Sequence, residues 1–86
     1  MPEYLLELYT SRGNARGAAD GGRRIRTATE ELTRQGTPIQ YRRTIFAPTE
    51  ETCFVLLEAD SADAVGDAAR LATLPCDRVR AAVSQP

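Results

Sequence analysis

The 86-residue chain has no histidine, which excludes catalytic triads, general-base steps and metal sites built on its own imidazole groups. The groups left to do chemistry are carboxylates, arginines, three tyrosines and two thiols. Cys53 and Cys76 are too few for a disulfide scaffold, and they cannot by themselves close a structural zinc site, which takes about four cysteine or histidine ligands. In Cys76-Asp77-Arg78 a cation beside the thiol favours the thiolate, but Asp77 opposes that effect. The segment therefore reads as a loop cysteine followed by a charged pair at the start of an edge strand, with a ligand clamp as its functional alternative. Cys53 lies in an apolar run and reads as core or interface. Gly13 and Gly17 lack the Gly-Lys-Ser/Thr ending of a phosphate-binding loop, and their spacing does not fit the dinucleotide fingerprint. All 11 basic residues are arginine, and 12 carboxylates bring the net charge to -1, a balance that speaks against a nucleic-acid binder.

These groups depend on the elements that carry them. Tyr4 to Tyr9 is too short and too apolar for a helix and reads as a mostly buried strand, with Tyr4, Leu6 and Leu8 on one side and Leu5, Glu7 and Tyr9 on the other. Ser11 to Gly17 reads as a loop. Between Ala18 and Gln35, Ala18, Gly22, Ile25, Ala28 and Leu32 fall on one helical face. Arg23, Arg24, Arg26, Glu30, Glu31 and Arg34 make the solvated face, and Gly36 and Pro38 give the stop. Residues 38–47 alternate as a strand, with Ile39, Tyr41, Arg43 and Ile45 on one face and Gln40, Arg42, Thr44 and Phe46 on the other. After a polar turn, residues 52–58 form a nearly continuous apolar strand that completes a hairpin. Asp60 or Ser61 caps a second helix with Val65, Ala68, Ala69 and Ala72 on its apolar face, ending at Leu74-Pro75. Residues 78–84 make the last strand.

One domain spanning residues 1–86 follows from the length, with a thin core: 42% of the chain is apolar, but much of that is alanine. The order strand, helix, strand, strand, helix, strand folds by right-handed crossovers into an α+β ferredoxin-like βαββαβ sandwich, a four-stranded antiparallel sheet with both helices on one face. The other face is left bare although its strands carry apolar residues, so a homodimer closed through that face is expected, with a pocket between sheet and neighbour. No apolar run reaches the roughly 20 residues of a membrane span, and no basic stretch followed by an apolar segment opens the chain, so a cytoplasmic protein with no membrane partner is expected. The arginine-only, alanine-rich composition is that of a high-GC bacterial genome, such as an actinobacterial one.

Leu74-Pro75-Cys76-Asp77-Arg78-Val79, following an alanine-rich helix, resembles the Phe/Leu-Pro-x-Asp-Arg-Val/Ile segment of the small ferredoxin-like family called DUF4242. Tyr4-Leu5-Leu6-Glu7 is similar to the family's opening Tyr-x-Val-Glu strand, and Cys53-Phe54-Val55-Leu56-Leu57-Glu58-Ala59 to its third strand, so the resemblance spans nearly the whole chain. One branch of the family is described as nickel-binding, and nickel is the cofactor that the resemblance implies. The matching positions depart from that pattern. Where relatives carry Trp-x-His/Gln-Ser, this chain has Tyr41-Arg42-Arg43-Thr44, and the guanidinium of Arg43 cannot ligate a metal. Ala68 stands at a helix histidine position and Val55 at that of the third-strand cysteine. No cofactor is therefore expected, with nickel as the alternative through Glu7, Cys53, Cys76 or Asp77.

The glutamate that the resemblance retains, Glu7, shares the bare face with Arg43 by strand parity, and a pocket of Glu7, Tyr9, Tyr41, Arg43 and Cys53 is expected there. One reading is a salt bridge buried by dimerisation. The other is a small-molecule site in which Arg43 holds a carboxylate or phenolate and Glu7 accepts a proton. The function expected is a ligand-binding dimer. The alternatives are a divalent-metal carrier and a cofactor-free oxygenase, isomerase or cyclase. RNA recognition is not expected, because the third strand lacks the basic-Gly-aromatic signature.

Overall fold

A computed structural model describes residues 1–75 and 78–85. Cys76 and Asp77, named above as thiol, clamp and metal-donor candidates, lie outside the described residues. The elements are β1 (Glu3–Tyr9), α1 (Ala15–Arg34), β2 (Ile39–Ala47), β3 (Thr52–Ala59), α2 (Ala62–Leu71) and β4 (Arg78–Ala82). The strands form one antiparallel sheet in the order β2-β3-β1-β4. This is the ferredoxin-like arrangement that the order of elements predicts.

Strand alternation decides what the helices cover. Leu6 and Leu8 of β1, Cys53, Val55, Leu57 and Ala59 of β3 and Ile39 of β2 are buried, together with Ile25, Ala28 and Leu32 of α1 and Val65, Ala68 and Ala69 of α2. The intervening residues Leu5, Glu7, Phe54, Leu56 and Glu58 are only half-buried, so both helices lie on one face and the other is open. No described helix is long and apolar enough to cross a membrane.

α1 begins at Ala15, three residues before the apolar pattern starts. Asn14 caps it, its side-chain oxygen accepting from the Gly17 backbone N–H at 2.9 Å. The turn-forming residues of this stretch are also good N-caps, and the cap prevails over the loop reading. The five apolar-face positions of α1 are all buried. At Gly22 the helix comes so close to β2 that an added Cβ would land on the Thr44 hydroxyl and 3.1 Å from its Cβ.

Both helices end in the same reversal. After α1, Gly36 has φ +97°, and the Gly36 and Thr37 N–H groups donate to Thr33 and Leu32 carbonyls at 3.1 and 2.9 Å. After α2, the Thr73 and Leu74 N–H groups donate to Arg70 and Ala69 carbonyls, both at 3.0 Å. The left-handed position there is taken by a β-branched residue, Thr73 at φ +58°, where glycine is the usual occupant. Arg24 Nη2 reaches from the middle of α1 to the Ala72 and Thr73 carbonyls at 2.6 and 3.2 Å and ties α1 to the end of α2. Because the left-handed region costs an L-residue roughly 1–2 kcal/mol, Thr73→Gly is expected to stabilise the chain by about 0.5–1 kcal/mol, raising Tm by roughly 2–8 °C. A calorimetric scan showing a lower Tm would mean the backbone at Thr73 carries no strain to relieve.

A β-bulge corrects the expected faces of β2. The pairing with β3 shifts between Tyr41 and Arg43. Ile39 and Tyr41 face the helices, the extra residue Arg42 is absorbed, and Thr44 and Phe46 face the helices again, packing against the core in the case of Tyr41 and Phe46. Arg42, Arg43 and Ile45 are left on the open side. An unbroken alternation would have put Tyr41 with Arg43 and Arg42 with Thr44; one extra residue in a period of two breaks that grouping.

Candidate functional site on the open sheet face

The open face has an apolar strip and a charged frame. Leu5 lies opposite Leu56, and Phe54 lies between Glu7 on β1 and Ile45 on β2. Ile45 and Tyr9 are exposed, at 45% and 67%. Two ion pairs bracket this strip. Arg80 Nε donates to Glu7 Oε2 at 2.5 Å, and Arg42 Nη1 lies 3.1 Å from Glu58 Oε2. The bond to Glu7 holds Arg80 protonated beyond arginine's usual value. At the end of the face, the Ser84 backbone N–H donates to Glu3 Oε1 at 3.1 Å. Hydrogen bonding from Ser84, ahead of the charges of Arg42 and Arg43, keeps the Glu3 carboxyl below the usual carboxylate range. Among the described residues, Arg43 and Arg78 of this face enter no salt bridge, while Arg42 and Arg80 each do.

The expected pocket of Glu7, Tyr9, Tyr41, Arg43 and Cys53 is not assembled. Glu7, Tyr9 and Arg43 share the open face, but Glu7 is paired with Arg80 on β4, and β3 lies between it and Arg43. Tyr41 faces the helices, its hydroxyl 2.7 Å from Thr44 Oγ1. Cys53 is also on the helix side, 1% exposed, its thiol 3.8 Å from the Ala18 carbonyl and its pKa pushed up by burial. A buried, protonated thiol is a poor nucleophile and a poor metal ligand. The residues that the sequence reading missed are Glu3, Arg42, Glu58, Arg80 and Ser84. The signal for Arg80 was the alternation of β4, which sets it on the side opposite Val79.

The same geometry tests the nickel donor set. Glu7 and Cys53 point to opposite faces of the sheet, and among the described residues no three Cys, Asp or Glu groups converge. Glu7 and Cys53 do not fit as joint ligands of one ion.

Three clefts merit comparison. The largest, 720 Å³, runs between α1 and α2. Its arginines are engaged, Arg23 with Asp20, Arg34 with Glu31 and Arg24 with the α2 carbonyls. It is a seam between helices. A second of 220 Å³, beside Cys53, opens near the start of α1. A third of 280 Å³ lies on the open face and is lined by Glu3, Tyr41, Arg42, Arg43, Leu56 and Ser84; it alone of the three holds an arginine without a salt bridge, with a carboxylate across the cleft from it.

Fold and face together define a small ferredoxin-like α+β protein with one uncovered, mixed-charge sheet surface. No family model matches the chain, and no curated protein does. Among solved structures it is similar to the crystal structure of SCO4226 from Streptomyces coelicolor A3(2), with a TM-score of 0.73 over 98% of this chain and 99% of that one. The two sequences are 15% identical, a likeness that carries the fold alone.

Proposed function

We propose that this chain is a small-molecule-binding module of the DUF4242 type, working as a homodimer that closes its open sheet faces over the ligand. The carrying observation is the strip of Leu5, Ile45, Phe54 and Leu56 on a face that neither helix covers. Four strands about 4.8 Å apart and some seven residues long make a plane of roughly 450 Å² before side-chain relief is counted, a little over half of the roughly 800 Å² that each partner contributes to a standard interface. A second copy supplies a surface of the same shape and polarity. Binding is favoured over proton transfer because Glu7, the base that the catalytic reading needs, already accepts from Arg80 at 2.5 Å. Family membership rests on the segments 4–7, 53–59 and 74–79, the first two of which lie on the adjacent strands β1 and β3.

Light scattering after size exclusion is expected to give about twice the 9.4 kDa chain mass. Ile45→Glu, at an exposed position, is expected to give a folded monomer. Native mass spectrometry of the protein from its source cells is expected to show a retained small molecule on the dimer. A wild-type monomer without ligand would overturn this function.

A further inference from the structure

The cleft on the open face carries both signs of charge within reach of one small ligand. The bulge sets Arg42 and Arg43 side by side on this face; Arg42 is held by Glu58 at 3.1 Å, and Arg43 has no salt bridge among the described residues. Across β3 stands Glu3, with one oxygen engaged by the Ser84 N–H and the carboxyl kept ionised. Glu3 is opposite Glu58, and Arg43 is opposite Leu56, two residues along β3. Two strand spacings across and two residues along put their Cα atoms about 12 Å apart. Both side chains line the same cleft. Leu56 lines the cleft between the charges, and Leu5 lies opposite it on β1.

A simple anion placed there gains Arg43 but meets Glu3, and a simple cation meets the reverse conflict. A molecule with a carboxylate and an ammonium one carbon apart satisfies both. The cavity of 280 Å³ is just below the range of ligand sites, about 300–1,000 Å³, and suits a molecule no larger than an amino acid. We infer that this cleft binds an α-amino-acid-like zwitterion with an apolar side chain, its carboxylate on the Arg43 fork, its ammonium on Glu3 and its side chain over Leu56 and Leu5. This inference rests on the binding-module reading and names the ligand class of that site; closure by the second copy would exclude water from both ion pairs and strengthen them.

Calorimetric titration with three matched probes tests it: leucine, 4-methylpentanoate, which lacks the ammonium, and 3-methylbutylamine, which lacks the carboxylate. Leucine is expected to bind at least tenfold more tightly than either. Arg43→Gln should weaken leucine and 4-methylpentanoate at least tenfold and leave the amine unchanged, whereas Glu3→Gln should weaken leucine and the amine and leave 4-methylpentanoate unchanged or tighter. Arg16→Ala, on the first turn of α1 and exposed, should bind leucine as the wild type does. Equal affinity for the three probes, no binding of leucine, or an Arg43→Gln variant that binds it normally would overturn the inference. If leucine fails while the dimer still carries another retained molecule, the ligand class is wrong and the binding module stands. A monomer that retains nothing removes both.

Discussion

Leu6→Ala is expected to destabilise the chain by about 3–4 kcal/mol, within the roughly 2–5 kcal/mol seen when a buried leucine is cut to alanine. Leu6 is fully buried and sits in the inner strand β1, with Val55 on one side and Val79 on the other. Its removal therefore empties the middle of the layer between sheet and helices, where alanine-rich α2 has no long side chain to refill the space. A domain of this length has roughly 4–13 kcal/mol of stability, so the variant has little margin. Urea unfolding measures it, with an expected fall in midpoint of roughly 2–3 M. Leu5→Ala, one residue away on the open face, should cost under about 1 kcal/mol when measured in the Ile45→Glu background. Equal losses at the two positions would mean that the faces of β1 are misassigned.

Gly22→Val is expected to cost about 2–3 kcal/mol, although valine is a better helix residue than glycine. The propensity gain is a fraction of a kcal/mol, whereas the new Cβ meets the Thr44 hydroxyl and lies 3.1 Å from the Thr44 Cβ. Either α1 lifts from β2 or Thr44 turns away from the Tyr41 hydroxyl, its partner at 2.7 Å. Thr44→Ala removes the colliding oxygen, so the double variant should recover part of the loss, with a coupling of at least about 1 kcal/mol in a double-mutant cycle. Strict additivity of the two changes would show that the close approach of α1 and β2 is not the cause.

Period and length made much of the fold legible in the residues. The spacing of Ala18, Gly22, Ile25, Ala28 and Leu32 marks the buried side of α1, and the alternation of Tyr4 to Tyr9 separates the two faces of β1. The candidate site was less legible, for three reasons. The bulge at Arg42 is a single added residue, and a run such as Tyr41-Arg42-Arg43-Thr44 has no turn residue to announce it. β3 is apolar at both parities, so the side taken by Cys53 follows only from its neighbours: Leu8 and Phe46 stand opposite it in the sheet. The Glu7–Arg80 pair joins residues 73 positions apart, and alternation assigns a face without fixing the register between distant strands. Asn14 was ambiguous in a different way, since the same side chain serves a turn and a helix cap.

The bulge has an effect beyond the placing of two arginines. It interrupts the hydrogen-bond ladder of β2 at one margin of the sheet, while the other margin, β4, is five residues long and carries Arg78 and Arg80. Neither border offers the long, straight template that an incoming strand needs. Growth by edge-to-edge sheet extension into fibres is therefore disfavoured at both borders.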